Sequence, residues 1–134
     1  MRIRFENKNQ LNNIHIHDSE FAGYCYDYDK RQVCFSCNNI FDKKVVSFVF
    51  ENVVLLHLQS CSFWHGGNSI LWMSVLDKNE YLEELISQQL ANAEKFKSSY
   101  LDRGIQYVAL EFTIHSGDTL LIICESISYS ESSL

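Results

Sequence analysis

Residues 17–35 read HDSEFAGYCYDYDKRQVCF, and this stretch decides the fold class. A polar His-Asp-Ser turn leads into an aromatic segment, and an acidic reversal at Asp29-Lys30 separates that segment from a second apolar one. Aromatic and β-branched residues between turn-forming residues favour strands. The stretch therefore predicts two antiparallel strands, residues 21–28 and residues 32–37, and a chain that is rich in β-structure.

Alternation of apolar and polar residues marks further strands. In residues 46–50 and 108–114 the large apolar side chains recur at every second position, which is typical of a strand with one buried face. A second apolar run follows Glu51-Asn52, and the sequence leaves open whether this dipeptide is a bulge, a bend or a turn. Ser116-Gly117-Asp118 predicts a hairpin between the last two strands. The other predicted strands are residues 2–6, 53–58, 69–76 and 119–128, and a Ser-rich tail is predicted at 126–134.

One segment has helical periodicity. Its apolar residues recur at spacings of three and four, while Glu83, Glu84 and Gln88 lie mostly on the other side. Asp77 and Glu80 have the spacing of a capping box at its start. We predict a mostly β (α+β) fold, an antiparallel sheet or sandwich of about seven or eight strands with one amphipathic helix near residues 79–97 packed on it. The predicted core comprises Phe48, Phe50, Val54, Leu56, Leu85, Ile86, Leu90, Val108, Leu110, Phe112 and Ile114.

Composition and charge narrow the class of protein. The chain has 134 residues, of which 46% are hydrophobic and none is proline, and this predicts a single globular domain over residues 1–134. The net charge of −6 disfavours nucleic acid, because phosphate is repelled, and would suit a basic protein partner. The first residues lack the apolar run of a signal peptide, and no run reaches the ~18 apolar residues of a membrane span. We therefore expect a soluble cytoplasmic protein that does not bind membranes.

The five cysteines do not form a metal-binding pattern. Cys34 and Cys37 have the CxxC spacing, but no second close pair completes the four ligands of a zinc site. Residues three apart on a strand also face opposite ways, which is poor geometry for chelation. His15 and His17 would share one face of a strand, and no further ligand pattern accompanies them. We predict reduced structural thiols, no metal and no cofactor.

The sequence also lacks a catalytic motif. It contains no Gly-x-Ser-x-Gly nucleophile elbow, and Gly66-Gly67 is followed by Asn68 rather than by the residues of a phosphate-binding loop. An enzyme would need a pocket that unites a histidine with a cysteine or a carboxylate. The alternative function is therefore a small-molecule-binding protein or an enzyme with such a pocket. The histidines available to it are His15, His17, His57, His65 and His115.

Tyrosines at alternate positions share one face of the first aromatic strand, next to two aspartates. Tyrosine is enriched at protein interfaces, but the same face could equally form an edge of the core with its hydroxyls in water. Trp64, in a Gly-rich loop, is a second aromatic candidate, either for a partner surface or for a lid on the core. The predicted partner-binding residues are Tyr24, Tyr26, Asp27, Tyr28, Asp29 and Trp64, and no residue is predicted to be catalytic.

Residues 17–53 resemble part of a group of small bacterial β-rich proteins. The shared pattern is a His-Asp-Ser turn, a strand, an acidic Tyr-Asp-Tyr reversal, a second strand and the run Val-Ser-Phe-Val-Phe-Glu-Asn-Val at residues 46–53. Some members of this group are immunity proteins of polymorphic toxin systems, and many have no assigned function. The resemblance implies a sheet-based, non-catalytic binding protein and places His17, Asp18 and Ser19 in the recurrent turn of the group. The predicted function is therefore a non-catalytic soluble binding protein, with neutralisation of a toxin as a hypothesis.

Overall fold

The computed structural model describes residues 1–59, 69–76, 83–84, 87–88, 91–92 and 105–134. Within this part of the chain seven strands form one antiparallel sheet, and 62% of the residues lie in strands. The predicted mostly β, antiparallel fold is confirmed. The strands are β1 (Arg2–Ile3), β2 (Glu20–Asp27), β3 (Gln32–Asn39), β4 (Lys44–Gln59), β5 (Ile70–Leu76), β6 (Val108–Ile114) and β7 (Thr119–Ser133).

The sheet curls until its two end strands meet. The strand order is β2-β3-β4-β7-β6-β5, and β1 pairs with β7 beyond the end of β6. The first residue of β2, Glu20, forms a bridge with Ser69, which directly precedes β5. The rings of Phe35 in β3 and Phe112 in β6 stack with centroids 4.2 Å apart, although β4 and β7 separate these strands in the sheet. One face of the sheet therefore encloses the core, and we call it the core face and the other the outer face.

The core is built from alternate residues of the central strands. Side chains on the core face include four mutually packed phenylalanines, Phe35, Phe48, Phe50 and Phe112. The core predictions for Phe48, Phe50, Val108, Leu110, Phe112 and Ile114 are confirmed, because all are buried, and Leu56 is partly buried against the same cluster. The core predictions for Leu85, Ile86 and Leu90 lie outside the described residues.

Val54 is not part of this core, which corrects the sequence prediction. The predicted runs 46–50 and 53–58 form one strand, β4, with a bulge between Val53 and Leu55. Val53 and Leu56 therefore both reach the core face, while Val54 packs on the outer face in a second cluster with Ala109, Leu121 and Ile123. An extra residue in one strand reverses the alternation beyond it, so Val54 and Leu56 lie on opposite faces. The period of two is also broken at Asn52, whose φ is +51°, because Phe50 and Val53 both face the core.

The strand predicted for residues 119–128 continues to Ser133 and so includes most of the Ser-rich tail at residues 126–134. Residues 126–133 belong to β7, which pairs with β4 along its whole length. Serine alternates here with larger residues: Ile127 is buried, and the Tyr129 ring packs 5.5 Å from Phe48. These residues form a strand despite their serine content. The edge of β4 supplies backbone hydrogen bonds along their length, and the large residues at alternate positions pack on the apolar core face.

The first predicted strand is also shorter than expected. The strand stops at Ile3, and residues Phe5–Asn13 form 3₁₀ turns that are kinked at Asn7. The Asn7 Oδ1 accepts a hydrogen bond from the Arg4 N–H at 2.7 Å, which draws the backbone out of the strand. Leu11, at the far end of these turns, is buried in the core.

The predicted helix is described only on its polar side. Residues 83, 84, 87, 88, 91 and 92 are helical and exposed, as expected for the side opposite the apolar positions. The rest of the predicted range 79–97 lies outside the described residues. No helix in the described part of the chain is both long and apolar enough to cross a lipid bilayer.

Candidate protein-binding edge

Strand β2 lies at one end of the sheet, and it and the turn that follows carry all the predicted partner-binding residues except Trp64. It pairs with β3 on one side. On its other side, Glu20 bridges Ser69, and no strand in the described ranges pairs with residues 21–27. An edge strand of this kind leaves backbone N–H and C=O groups available for pairing with another chain.

A bulge sets the direction of the tyrosines. Phe21 lies opposite Cys37, and after the shift at Ala22 the next pair on the core face is Tyr24 with Phe35. Gly23 occupies the bulge with φ of +145°, a conformation that side-chain-bearing residues rarely adopt. Phe21 and Tyr24 therefore point to the same face although they are three residues apart.

Exposure of the aromatic side chains increases along this strand. The Phe21 ring stacks on buried Phe35 with centroids 5.1 Å apart. Tyr24 is 36% exposed, Tyr26 64% and Tyr28 77%. Tyr24 and Tyr26 continue the core face beyond the enclosed core, whereas Tyr28 follows the strand and lies in the turn. We call Tyr24, Tyr26, Asp27, Tyr28 and Asp29 the tyrosine edge.

The reversal after β2 is held by its own polar groups. The Asp27 Oδ1 accepts the Lys30 N–H at 3.1 Å, and the Tyr28 carbonyl accepts the Arg31 N–H at 3.2 Å. The exposed Asp29 is next to Lys30 at the tip. Two acidic and two basic residues thus follow each other within the reversal, so the net charge of −6 is not concentrated at the tyrosine edge.

The His-Asp-Ser turn docks the start of β2 onto β5. The Ser19 N–H donates to the Ile16 carbonyl at 2.9 Å, and the Asp18 N–H donates to the Ile70 carbonyl at 2.8 Å. The His17 ring donates through Nδ1 to the Leu71 carbonyl, and its Nε2 lies 3.4 Å from Asp18 Oδ2. These contacts fix the edge strand at one end.

Consecutive His, Asp and Ser residues do not form a catalytic triad here. The side chains of His17 and Asp18 are more than half exposed, whereas Ser19 is fully buried and its Oγ forms no hydrogen bond with either of them. A hydroxyl nucleophile would have to contact the histidine that activates it. Backbone hydrogen bonds, rather than the Ser19 side chain, hold this turn.

The cysteines of the CxxC spacing lie on opposite faces of β3. Cys37 is buried on the core face, and Cys34 is partly exposed on the outer face, where Cys25 lies opposite it. Within the described part of the chain, no group of three or more His, Cys, Asp or Glu side chains could hold a metal ion. Cys61 and Trp64 lie outside the described residues.

Burial of Cys37 predicts a loss of stability at alkaline pH. Burial raises the pKa of its thiol from 9.0 to about 11, against a weaker opposite effect of the Ser19 hydroxyl. The unfolded chain therefore loses this proton at lower pH than the folded one, so stability is complete below about pH 9 and falls as the pH rises to about 11. The expected contribution is on the order of 2 kcal/mol.

Urea unfolding between pH 8 and pH 11 measures this effect. Burial and Glu131 raise the pKa of Tyr129 more than Cys37 does, so its effect on stability is largely common to every variant. Cys37→Ala should lose less stability over this range than the unsubstituted protein. Cys25→Ala removes an exposed thiol that makes only a secondary contribution to the raised pKa of Cys34, so it should deviate less from the unsubstituted protein than Cys37→Ala does. Equal slopes for all three proteins would contradict the assignment to Cys37.

Sequence comparison supplies no relative with a known role. No protein-family model matches this chain, and no curated protein matches it. The interpretation of the tyrosine edge therefore depends on its own geometry and chemistry.

A second exposed apolar group was not predicted. Ile40 and Phe41 lie in the turn between β3 and β4 and are 51% and 80% exposed. Asn39 and Asp42 hold this turn by two reciprocal hydrogen bonds of 3.1 Å. An apolar pair between such turn-forming residues is the sequence signal that could have found it. We call Ile40 and Phe41 the hydrophobic tip, which lies at the opposite end of β3 from the reversal that carries Tyr28.

Proposed function

We propose that this protein is a non-catalytic binding protein that holds an extended segment of another protein against the edge of β2 that no described strand pairs with. The observation that carries this proposal is an exposed edge strand in which residues 21–26 contain neither a charged residue nor proline. Edge strands normally carry charges, proline or a bulge that discourage pairing. Here the Gly23 bulge lies near the start of the strand and leaves residues 24–27 regularly paired with β3.

The tyrosines supply the side-chain part of this binding surface. A partner strand added to β2 would cover Tyr24 and Tyr26 on one face, next to the stacked rings of Phe21 and Phe35. Tyrosine gives large contact area for little conformational entropy and often dominates binding energy. Main-chain hydrogen bonds would contribute affinity. Tyr24 and Tyr26 would select apolar residues at alternate positions of the partner.

The net charge of the chain would affect the rate of association with the partner rather than the contacts within the complex. The chain carries a net charge of −6, while acidic and basic residues balance within the reversal beside the tyrosine edge. A basic partner would therefore be attracted at long range and then held by uncharged contacts. Toxin neutralisation, which the resemblance of residues 17–53 to immunity proteins suggests, is the biological role we propose for this binding.

The alternative of a small-molecule-binding protein or an enzyme has no comparable support. The four histidines in the described ranges, His15, His17, His57 and His115, are all exposed. They belong to the segment before β2, to β4 and to the turn after β6. None of them forms a buried cluster with a cysteine or a carboxylate among the described residues.

The test is a comparison of matched baits. Immobilised full-length protein is used to capture host proteins, with Tyr26→Ala as the edge variant and Phe41→Ala as the control on the hydrophobic tip. Both side chains are mostly exposed, so both variants should stay folded. We expect a host protein that the unsubstituted bait and Phe41→Ala retain, and that binds Tyr26→Ala roughly 30-fold more weakly, equivalent to about 2 kcal/mol.

Salt and ligand screens complete this test. The association rate should fall as salt increases from low to moderate concentration, with a much smaller change in the dissociation rate. Equal binding by Tyr26→Ala, or loss of binding in Phe41→Ala instead, would reject the tyrosine edge as the binding surface. If no protein is retained and a small molecule raises the melting temperature, the alternative function replaces this one.

A further inference from the structure

Cys25 and Cys34 lie directly opposite each other on neighbouring strands. Their row on the outer face continues through Val49 to Ser128. Directly opposed residues of antiparallel strands have Cα atoms about 4.5 or 5.5 Å apart, depending on the hydrogen-bonding position. Both values fall within the range of about 4.4–6.8 Å that a disulfide bond spans. The backbone register thus allows a bond between these residues without displacement of either strand.

The two thiols also interact and are accessible. Burial raises the pKa of Cys34, and the charge and hydrogen-bonding capacity of the Cys25 thiol raise it further, as expected for neighbouring sulfurs. Cys25 is exposed and Cys34 partly exposed. The other two cysteines that the structure describes, Cys37 and Cys124, are fully buried. A soluble oxidant can therefore reach the opposed pair while it cannot reach Cys37 or Cys124 in the folded protein.

We propose that Cys25 and Cys34 are a redox-active pair that closes to a cross-strand disulfide between β2 and β3. The oxidant is a low-molecular-weight disulfide such as oxidised glutathione. The Cys25 thiolate attacks one sulfur of it, which forms a mixed disulfide and releases one glutathione thiolate. The Cys34 thiolate then attacks the Cys25 sulfur, forms the protein disulfide and releases the second glutathione. Two protein thiols are oxidised, one glutathione disulfide is reduced, and the released thiolates take up the two protons.

The bond would fasten the edge strand to the rest of the sheet. Cys25 lies between Tyr24 and Tyr26 in the sequence but points to the outer face, whereas both tyrosines are on the core face. The disulfide would therefore leave the two tyrosines uncovered. Oxidation would then restrict separation of β2 from β3 without blocking the surface proposed for partner binding. The inference itself does not depend on that proposed function.

Peptide mapping tests the proposal on the full-length protein. The reduced protein is incubated with increasing ratios of oxidised to reduced glutathione, its free thiols are blocked, and it is digested with trypsin. Cleavage after Lys30 and Arg31 places Cys25 in residues 9–30 and Cys34 with Cys37 in residues 32–43. We expect these two peptides to be disulfide-linked as the main product. The link should persist in Cys37→Ser and be completely lost in Cys34→Ser.

The glutathione adduct and the melting temperature provide two further tests of the disulfide. In Cys34→Ser the reaction should stop at a glutathione adduct on Cys25, and circular dichroism shows whether this variant is folded. The melting temperature should rise on oxidation of the unsubstituted protein and of Cys37→Ser, but not of Cys34→Ser. Linkage of Cys25 to Cys61, linkage that survives in Cys34→Ser, or a stable glutathione adduct in the unsubstituted protein would each overturn the proposal.

Discussion

Replacing Phe112 with alanine is expected to lower the free energy of unfolding by about 3–5 kcal/mol, because a fully buried ring is removed and leaves a cavity. This ring lies at the centre of the core. Its centroid is 4.2 Å from that of Phe35, 5.8 Å from Phe48 and 6.4 Å from Phe50. Two strands besides β6, namely β3 and β4, therefore lose packing, and little of the space can close because their backbones are held in one sheet. Urea unfolding followed by circular dichroism measures the loss.

The control for this prediction is the same substitution at the surface. Phe41→Ala removes an identical ring that is 80% exposed, and its effect should stay within about 0.5 kcal/mol. Leu110→Ala, on the same face of β6, should cost about 2–5 kcal/mol. A cost below 0.5 kcal/mol for both Phe112→Ala and Leu110→Ala would show that this face of β6 is not the core.

Removal of residues 127–134 is expected to abolish cooperative folding. The deleted segment pairs with residues 44–50 of β4 on one side and with β1 on the other. Ile127 is fully buried, and Tyr129 packs on Phe48. Total stabilities of domains are only about 5–15 kcal/mol, so the loss of half of a central strand should exceed the available margin. Circular dichroism and resistance to limited proteolysis measure the outcome.

Two smaller changes bracket this deletion. Removing only residues 132–134, which are exposed, should leave a cooperative unfolding transition. The single substitution Ile127→Ala keeps the backbone pairing and should cost about 2–5 kcal/mol. If the chain ending at Ser126 unfolds cooperatively with unchanged stability, residues 127–133 do not contribute to the sheet as described.

Strands with unbroken alternation could be predicted from the sequence alone. β6 is an example, because Val108, Leu110, Phe112 and Ile114 repeat at every second position without interruption and all are buried. The bulges could not be located in this way. Spacings of three between Phe21 and Tyr24, and between Val53 and Leu56, contradict a period of two unless the extra residue is known. The assignment of Val54 to the core failed for this reason.

The end of β7 was placed too early, at residue 128, for a different reason. Serines fill most of residues 126–133, whereas the structural signal lay in the large residues between them, Ile127 and Tyr129. These two residues identify a strand only when the strand that pairs with it is known. The partner, β4, is about eighty residues earlier in the chain, and no local pattern reveals it.

The candidate site was predictable in residue type but not in exposure. The tyrosines could be selected because they alternate on a strand, but their exposure depends on β2 being an end strand. Strand order is a long-range property that a single sequence does not display. The pairing of Cys25 with Cys34, in contrast, was accessible from the sequence. Each lies four residues from the Asp29-Lys30 reversal, so a hairpin centred there sets the two opposite each other.

The place of β7 in both the sheet and the chain has a consequence for biosynthesis. β7 is the central partner of β4, β6 and β1, yet it is the last strand in the sequence. β4 ends at Gln59 and β7 begins at Thr119, so a ribosome adding about 5–20 residues per second takes roughly 3–12 seconds between them. During that interval β4 lacks its partner β7, although the β2–β3–β4 meander and later the β5–β6 pair can form. The unpaired apolar face of β4 exposes the nascent chain to aggregation until residues 119–133 emerge and pair with it.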